Sequence, residues 1–305
     1  MKLRLATRKS KLALWQAEET QATLRAARPE LAVELVRVES SGDRDQATAL
    51  ARFGRIGIFT VEVDRAVKEG RADVGVHSLK DLTTELYDGL VLGGVLPRGP
   101  VADALVARDA DSFDALPQGA RVATGSMRRR AMLLAARPDL EVVEIRGNVD
   151  TRLAKLTAGE ADALVLAHAG LVRLGLEQHV TELLTPPRFL GAVGQGVVGL
   201  TVRADDREAR KLLSNVSDPE TFHEATAERA LLAALRGGCN VPVGAQARVA
   251  EGALALRARV LSVDGGEAVE GEISGPRDHA AELGRMLAKD LDERGAGRLI
   301  EEARA

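Results

Sequence analysis

The 305-residue sequence predicts an α/β fold of two lobes followed by a small α+β domain. Three observations predict it: strands alternating with helical periods over the first two-thirds, two segments that repeat each other, and a change of pattern after about residue 215. Strand-like stretches lie at 2–6, 32–39, 72–77, 90–96, 104–107, 121–124, 141–145 and 161–167. Between them Phe59, Val63, Ala66 and Val67 recur at helical spacing, as do Met127, Ala131 and Leu134, and Val149, Leu153 and Leu156. Such alternation predicts a mostly parallel sheet covered on both faces.

The repeat supports two lobes of one plan. Lys68-Glu69-Gly70-Arg71-Ala72-Asp73-Val74 can be laid on Thr157-Ala158-Gly159-Glu160-Ala161-Asp162-Ala163, and Leu5-Ala6-Thr7-Arg8-Lys9-Ser10 on Val122-Ala123-Thr124-Gly125-Ser126-Met127. Convergence of common strand–helix junctions is the other reading. The second lobe reads as an insertion in the first. Pro97-Arg98-Gly99-Pro100 makes the outward crossing, and the glycine-rich stretch Gly191–Gly199 makes a hinge-like return. The expected division is 1–97 with 197–214, then 98–196, then 215–305, with a ligand cleft between the lobes.

In the last segment Asp218-Pro219 caps a helix expected to run to Gly237, with Ala227, Leu231, Ala234 and Leu235 on one face. Alternation over 254–263, the turn Asp264-Gly265-Gly266-Glu267 and residues 268–273 read as a hairpin. A final helix carries Ala280, Leu283, Leu287 and Leu291.

Composition excludes several classes. With 45% hydrophobic residues, 29% charged and a net charge of −3, the chain is expected to be a globular, cytoplasmic protein. One cysteine allows no internal disulfide, and the start has no apolar signal core. No run is apolar enough for a membrane span. His77, His168, His179, His223 and His279 lack ligand spacing, so no metal is expected. One Trp, one Tyr and five Phe offer few stacking platforms, so no nucleic acid is expected either.

The chemistry gathers at strand ends. Thr7-Arg8-Lys9-Ser10-Lys11 and Thr124-Gly125-Ser126-Met127-Arg128-Arg129-Arg130 set hydroxyls and cations at helix N-termini, where free N–H groups already favour anions. Arg146 and Arg152, around Gly147-Asn148, add two more. Arg suits carboxylates because its planar fork bonds both oxygens. The alternative for any one of them is a solvated surface cation. At His77-Ser78-Leu79-Lys80-Asp81, Asp81 either faces the same cleft or pairs with Lys80 or caps a helix. Cys239 follows Gly237-Gly238 and precedes Asn240-Val241-Pro242. Glycines able to take positive φ stop the helix and proline prevents its resumption, so the thiol stands on a stiff loop. It is either a small apolar filler or a functional group.

Taken together and in order, the Thr-Arg-Lys-Ser start, His77–Asp81, Ser126–Arg129, Arg146–Asn148, Ala192-Val193-Gly194-Gln195-Gly196 and Gly238-Cys239 resemble the porphobilinogen deaminase (hydroxymethylbilane synthase) family over almost the whole chain. The resemblance implies two lobes like a type II periplasmic binding protein and a C-terminal α+β domain. It implies a transferase that condenses four porphobilinogen molecules into hydroxymethylbilane with loss of ammonia, as a monomer. It further implies a dipyrromethane cofactor held by a thioether on Cys239, and Asp81 as catalytic carboxylate. Arg8, Ser10, Ser78, Lys80, Thr124, Ser126, Arg128, Arg129, Arg146 and Arg152 would bind substrate and cofactor carboxylates, with Phe59, Asn148 and Gln195 beside them.

The chain departs from the family pattern at Ile56, where Lys is usual in the flap 52–59 and Arg55 stands next to it. Val61, Thr83, Ala102 and Thr201 are further departures, the last where an acidic residue is common. The alternative function is a non-catalytic binder of organic anions on the same two-lobe plan. A DNA-binding regulator would need a helix-turn-helix, which is not found.

Overall fold

The computed structural model describes residues 2–39, 60–237 and 241–304. By compactness the chain divides into two units, Met1–Gly99 with Val197–Ala225, and Pro100–Gly196 with Thr226–Ala305.

In the first unit the elements are β1 (Lys2–Arg8), α1 (Lys11–Ala27), β2 (Ala32–Val38), α2 (Val61–Lys68), β3 (Val74–Ser78) and β4 (Leu90–Val95). The second lobe follows with β5 (Asp103–Ala107), β6 (Arg121–Ala123), α3 (Met127–Ala136), β7 (Glu141–Val143), α4 (Val149–Thr157), β8 (Ala163–Ala167), α5 (His168–Arg173) and β9 (Glu182–Leu184). The chain then returns to the first unit through β10 (Val198–Arg203) and α6 (Arg207–Val216).

The two sheets have matching strand orders, β2-β1-β3-β10-β4 and β7-β6-β8-β5-β9. In each, the second strand pairs in parallel with the first and third, and the fourth runs antiparallel to both its neighbours. The antiparallel member, β10 or β5, is the strand that follows a crossing. It enters where its parallel neighbours end, so Val198 lies opposite Ser78 and Asp103 opposite Ala167. The expectation of a mostly parallel sheet holds with this one exception in each lobe.

The repeated Ala-Asp junction has a physical purpose. Asp73 accepts from the backbone N of Arg4 at 2.8 Å, and Asp162 accepts from that of Arg121 at 2.8 Å. Each aspartate thus ties the entry of the third strand to the start of the first. The left-handed glycines Gly70 (φ 71°) and Gly159 (φ 84°) close the helices before those junctions. A third correspondence is Ala27-Arg28-Pro29-Glu30-Leu31 with Ala136-Arg137-Pro138-Asp139-Leu140. Proline pushes the preceding residue out of the helical region, and Arg28 and Arg137, both at φ −144°, end α1 and α3.

Three strands have no counterpart in the sequence-based expectation: β9, β10 and β11 (Val243–Ala250). Gly199 made the β10 region read as a relaxed hinge, yet β10 is buried along nearly its whole length. A Cβ at Gly199 would come within 2.9 Å of Leu79 Cδ1, so this glycine serves close packing.

The C-terminal segment begins with α7 (Pro219–Ala234), whose N-terminus Asp218 caps by accepting from Thr221 N at 2.8 Å. Its C-terminus corrects the expectation. The helix ends at Ala234, and the left-handed residue is Arg236 (φ 52°), with Arg236 N bonded to Ala233 O and Gly237 N to Leu232 O. This is a Schellman ending with arginine where glycine is usual. Ala234 is exposed, while Ala227, Leu231 and Leu235 are buried.

An antiparallel meander of β11, β12 (Ala253–Leu261) and β13 (Ala268–Pro276) follows, then α8 (Ala280–Glu293) and α9 (Ala296–Glu302). Leu283, Leu287 and Leu291 of α8 join Leu254, Leu256 and Val260 in one core. The meander packs on the second lobe, where Ala245 N donates to Gly191 O at 3.0 Å and Arg259 Nη1 to Arg188 O at 3.2 Å.

Candidate active site

In the first unit the carboxyl ends of β1 and β3 lie side by side, because the strands are parallel neighbours. Arg8 closes β1, and Ser10 caps α1 by accepting from Ala13 N at 3.3 Å. Ser78 closes β3, its hydroxyl accepting from Gln16 Nε2 at 2.8 Å. Lys80 and Asp81 stand on the single 3-10 turn Leu79–Asp81 that follows. Asp81 is half-buried and, among the described residues, no hydrogen bond or ion pair engages it.

Beneath this edge is a buried polar group that sequence reasoning missed. His77 Nε2 lies 3.2 Å from Asp64 Oδ1 and 3.0 Å from Thr201 Oγ1, and the threonine hydroxyl donates to the same Asp64 oxygen at 3.1 Å. Asp64 already supplies the carboxylate here, so Thr201 completes the cluster as a hydroxyl.

In the second lobe β7, β6 and β8 end at one edge. Thr124, just past β6, accepts from Ser126 N at 3.2 Å, and Ser126 caps α3 by accepting from Arg129 N at 3.5 Å. The spacing of Met127, Ala131 and Leu134 placed the inner face of α3 differently from what is found. Arg128, Arg129, Ala131, Met132 and Leu133 are buried, and Met127 and Leu134 are not.

The arginines turn inward because Asp103 meets them. Arg128 Nη1 and Nη2 reach Asp103 Oδ2 and Oδ1 at 2.7 and 3.3 Å, and Arg129 Nε and Nη2 reach Oδ1 at 2.9 and 2.7 Å. Gln195 Nε2 donates to the same Oδ1 at 3.0 Å and to Val101 O at 2.8 Å. Burial pushes the Asp103 carboxyl up, but the charges and hydrogen bonds of Arg128 and Arg129 outweigh it and hold the group well below the usual carboxylate range. Burial pushes the Arg128 guanidinium down, against the opposing pull of Asp103.

The other predicted residues of this lobe are less enclosed. Arg146 pairs with Glu144 at 2.6 Å, both partly exposed, and Arg152 Nε donates to Gly147 O at 2.8 Å. Asn148 begins α4 without a side-chain cap bond. A further buried acid, Glu228, accepts from Gly194 N and Ala247 N, each at 2.7 Å, joining the 191–196 turn to β11. Phe59, the flap 52–59 and Cys239 lie outside the described residues. Among the described residues no His, Cys, Asp and Glu group could hold a metal, and no helix is long and apolar enough to cross a membrane.

Asp103 was missed because it stands at the start of a strand and not at its end, and only the antiparallel course of β5 carries it to the edge where Thr124 and Ser126 lie. The usable signal was an aspartate entering an otherwise apolar strand, Asp103-Ala104-Leu105-Val106.

Known proteins resemble the chain in two ways. Among solved structures it is similar to a nutrient binding protein from Burkholderia cenocepacia bound to methionine (14% identity, 70% of this chain and 90% of that one, TM-score 0.46). It is also similar to the methionine binding protein MetQ (16%, 75% and 94%, TM-score 0.47) and to the alkanesulfonate-binding protein SsuA from Xanthomonas axonopodis (19%, 76% and 74%, TM-score 0.38). These likenesses are distant. The family models are decisive: residues 3–211 match the porphobilinogen deaminase dipyrromethane cofactor binding domain, and residues 222–293 match the porphobilinogen deaminase C-terminal domain. The chain therefore belongs to the porphobilinogen deaminase family, transferases that polymerise porphobilinogen into hydroxymethylbilane with a dipyrromethane cofactor.

Proposed function

We propose that Asp81 is the catalytic carboxylate of this reaction and that Cys239 holds the cofactor through a thioether. The observation that carries the first assignment is the contrast among acids at strand ends. Asp73 and Asp103 are locked onto arginines, whereas Asp81 is half-buried at the carboxyl edge of its sheet with no partner among the described residues. An ionised carboxylate held there accepts from pyrrole N–H groups and stabilises the positive charge that develops as ammonia leaves.

Arg8, Ser10, Ser78, Lys80, Thr124, Ser126, Arg128, Arg129, Arg146 and Arg152 bind the acetate and propionate groups, with Phe59, Asn148 and Gln195 completing the site. Cations and hydroxyls at helix N-termini fit carboxylate-rich pyrroles, and this donor set suits the dipyrromethane equally. When bound, that group supplies the primer pyrroles to which substrate is added. Cys239, the one thiol of the chain, is the natural nucleophile for a thioether. The reading divides the chain at 1–97 with 197–214, 98–196 and 215–305, and makes it a cytoplasmic monomer without nucleic-acid partners. A net charge of −3, few aromatics and a single cysteine support that part.

Intact mass of the purified protein, with a tryptic map, tests the attachment. The expected result is an excess of two linked pyrroles on Cys239 and none on Cys239→Ala. A chain still unmodified after incubation with porphobilinogen, or one modified elsewhere, sinks the assignment.

A further inference from the structure

The Asp103 cluster carries a charge imbalance. Its carboxylate is 2% exposed and is embraced by two guanidiniums, themselves 4% and 7% exposed. Among the described residues Asp103 forms ion pairs with Arg128 and Arg129 alone, so this enclosed group holds one positive charge in excess. An uncompensated buried charge is costly where no counter-ion or water relieves it. One donor is also left over, because Arg128 Nε is buried with no hydrogen-bond partner among the described residues. A single arriving carboxylate answers both deficits.

The geometry shows what the two arginines would do alone. They are consecutive on α3, and like charges so close repel. Asp103 draws them together: Arg129 approaches side-on through Nε and Nη2, while Nη1 is anchored on Val165 O at 3.1 Å. Arg128 Nη1 is shared between Asp103 and Leu190 O, the latter at 2.5 Å. Gln195 is fixed by the same carboxylate oxygen.

We propose that Asp103 is a positioning residue for the substrate-carboxylate site: it fixes the Arg128 and Arg129 guanidiniums and the Gln195 amide, and reduces their joint charge to a single unit. The proposal rests on the reading of Arg128 and Arg129 as carboxylate-binding groups. A single excess charge suits a polymerising enzyme, whose growing chain has to be gripped and then shifted after each condensation. Two uncompensated cations would hold it too tightly.

The test is steady-state kinetics with porphobilinogen for the wild type, Asp103→Asn, Asp103→Glu and Arg129→Gln at low and raised ionic strength, normalised to folded protein. Asp103→Asn is expected to lower kcat about tenfold or more while KM falls or holds. Its KM should also depend more steeply on salt, because a second cation is uncovered. Asp103→Glu restores the charge and should return the salt dependence to that of the wild type. Kinetics for Asp103→Asn within about twofold of wild type at both ionic strengths would overturn the proposal. Arg129→Gln separates the two ideas, since an unchanged KM there removes the carboxylate-binding reading itself. Should Asp103→Asn not fold, the wild-type holoenzyme decides through its ¹⁵N-arginine spectrum. The Arg129 Nε–H resonance, identified with Arg129→Lys, should exchange slowly with solvent and shift when porphobilinogen is added. Fast exchange or an unmoved resonance overturns the proposal.

Discussion

The two five-stranded sheets share a strand order, yet they treat the acids at their carboxyl edges in opposite ways. In the first, Asp81 sits on a short turn past β3, half-buried and unengaged by any described residue. In the second, Asp103 sits at the head of an antiparallel strand and is saturated by two arginines and a glutamine amide. A common backbone plan therefore supports two electrostatic designs. A carboxylate with spare acceptor capacity is available to a developing cation. One surrounded by guanidiniums serves to hold those guanidiniums.

The comparison can be broken most directly at Asp81. Asp81→Asn keeps the shape and removes the charge, and activity is expected to fall about 10²- to 10⁴-fold with an unchanged unfolding transition. Turnover near that of the wild type would erase the distinction between the two acids. The Asp103 variants in the other lobe are expected to act more mildly, on kcat and on salt dependence together.

Smaller effects sharpen the likeness of the two lobes. Asp73 accepts from the Arg4 backbone and guanidinium, whereas Asp162 accepts from the Arg121 backbone. Asp73→Ala should cost about 2 kcal/mol and Asp162→Ala about 1 kcal/mol in urea unfolding, and equal losses would show that the guanidinium bonds add nothing. Burial pushes the Asp73 carboxyl up, but its bonds from Arg4 prevail and leave it below its ordinary value. A depressed folded value stabilises above the unfolded pKa of about 3.9, and the benefit is lost as pH falls through the folded value. The gap between wild type and Asp73→Ala should accordingly be full at neutral pH and narrow only in acid. A gap that widens in acid would contradict this.

The smallest expected effect lies at the left-handed glycines. Gly70→Ala should cost about 1 kcal/mol from backbone strain alone, since a Cβ there meets nothing within 4 Å. Gly159→Ala should cost slightly more, because Arg108 Nη1 lies 3.3 Å from the added atom. A stabilising alanine at either site would mean that the helix closes differently there.

Much of this was legible beforehand where the cause is local. Ser10, Ser126 and Asp218 were expected at helix starts and are caps there, because a short side-chain oxygen beside a helical run satisfies the first free N–H groups. The Arg-Pro pairs at 28–29 and 137–138 were equally readable, since proline acts on its immediate neighbour, but they were overlooked. The end of α7 was misjudged because a left-handed ending favours glycine without requiring it, and the bonds to Ala233 and Leu232 form with Arg236 there.

By itself, then, the sequence determined the alternation of strands and helices, the caps, the repeat and the strand ends where cations and hydroxyls collect. The alternation and the caps follow from interactions between residues a few positions apart, and the repeat is visible on comparing two stretches of chain. Only the tertiary structure decided which acid each cation meets. Asp103 lies 25 residues from Arg128, and it reaches that arginine because β5 runs antiparallel to β8. Strand direction is set by pairing with distant segments, and no local pattern encodes it.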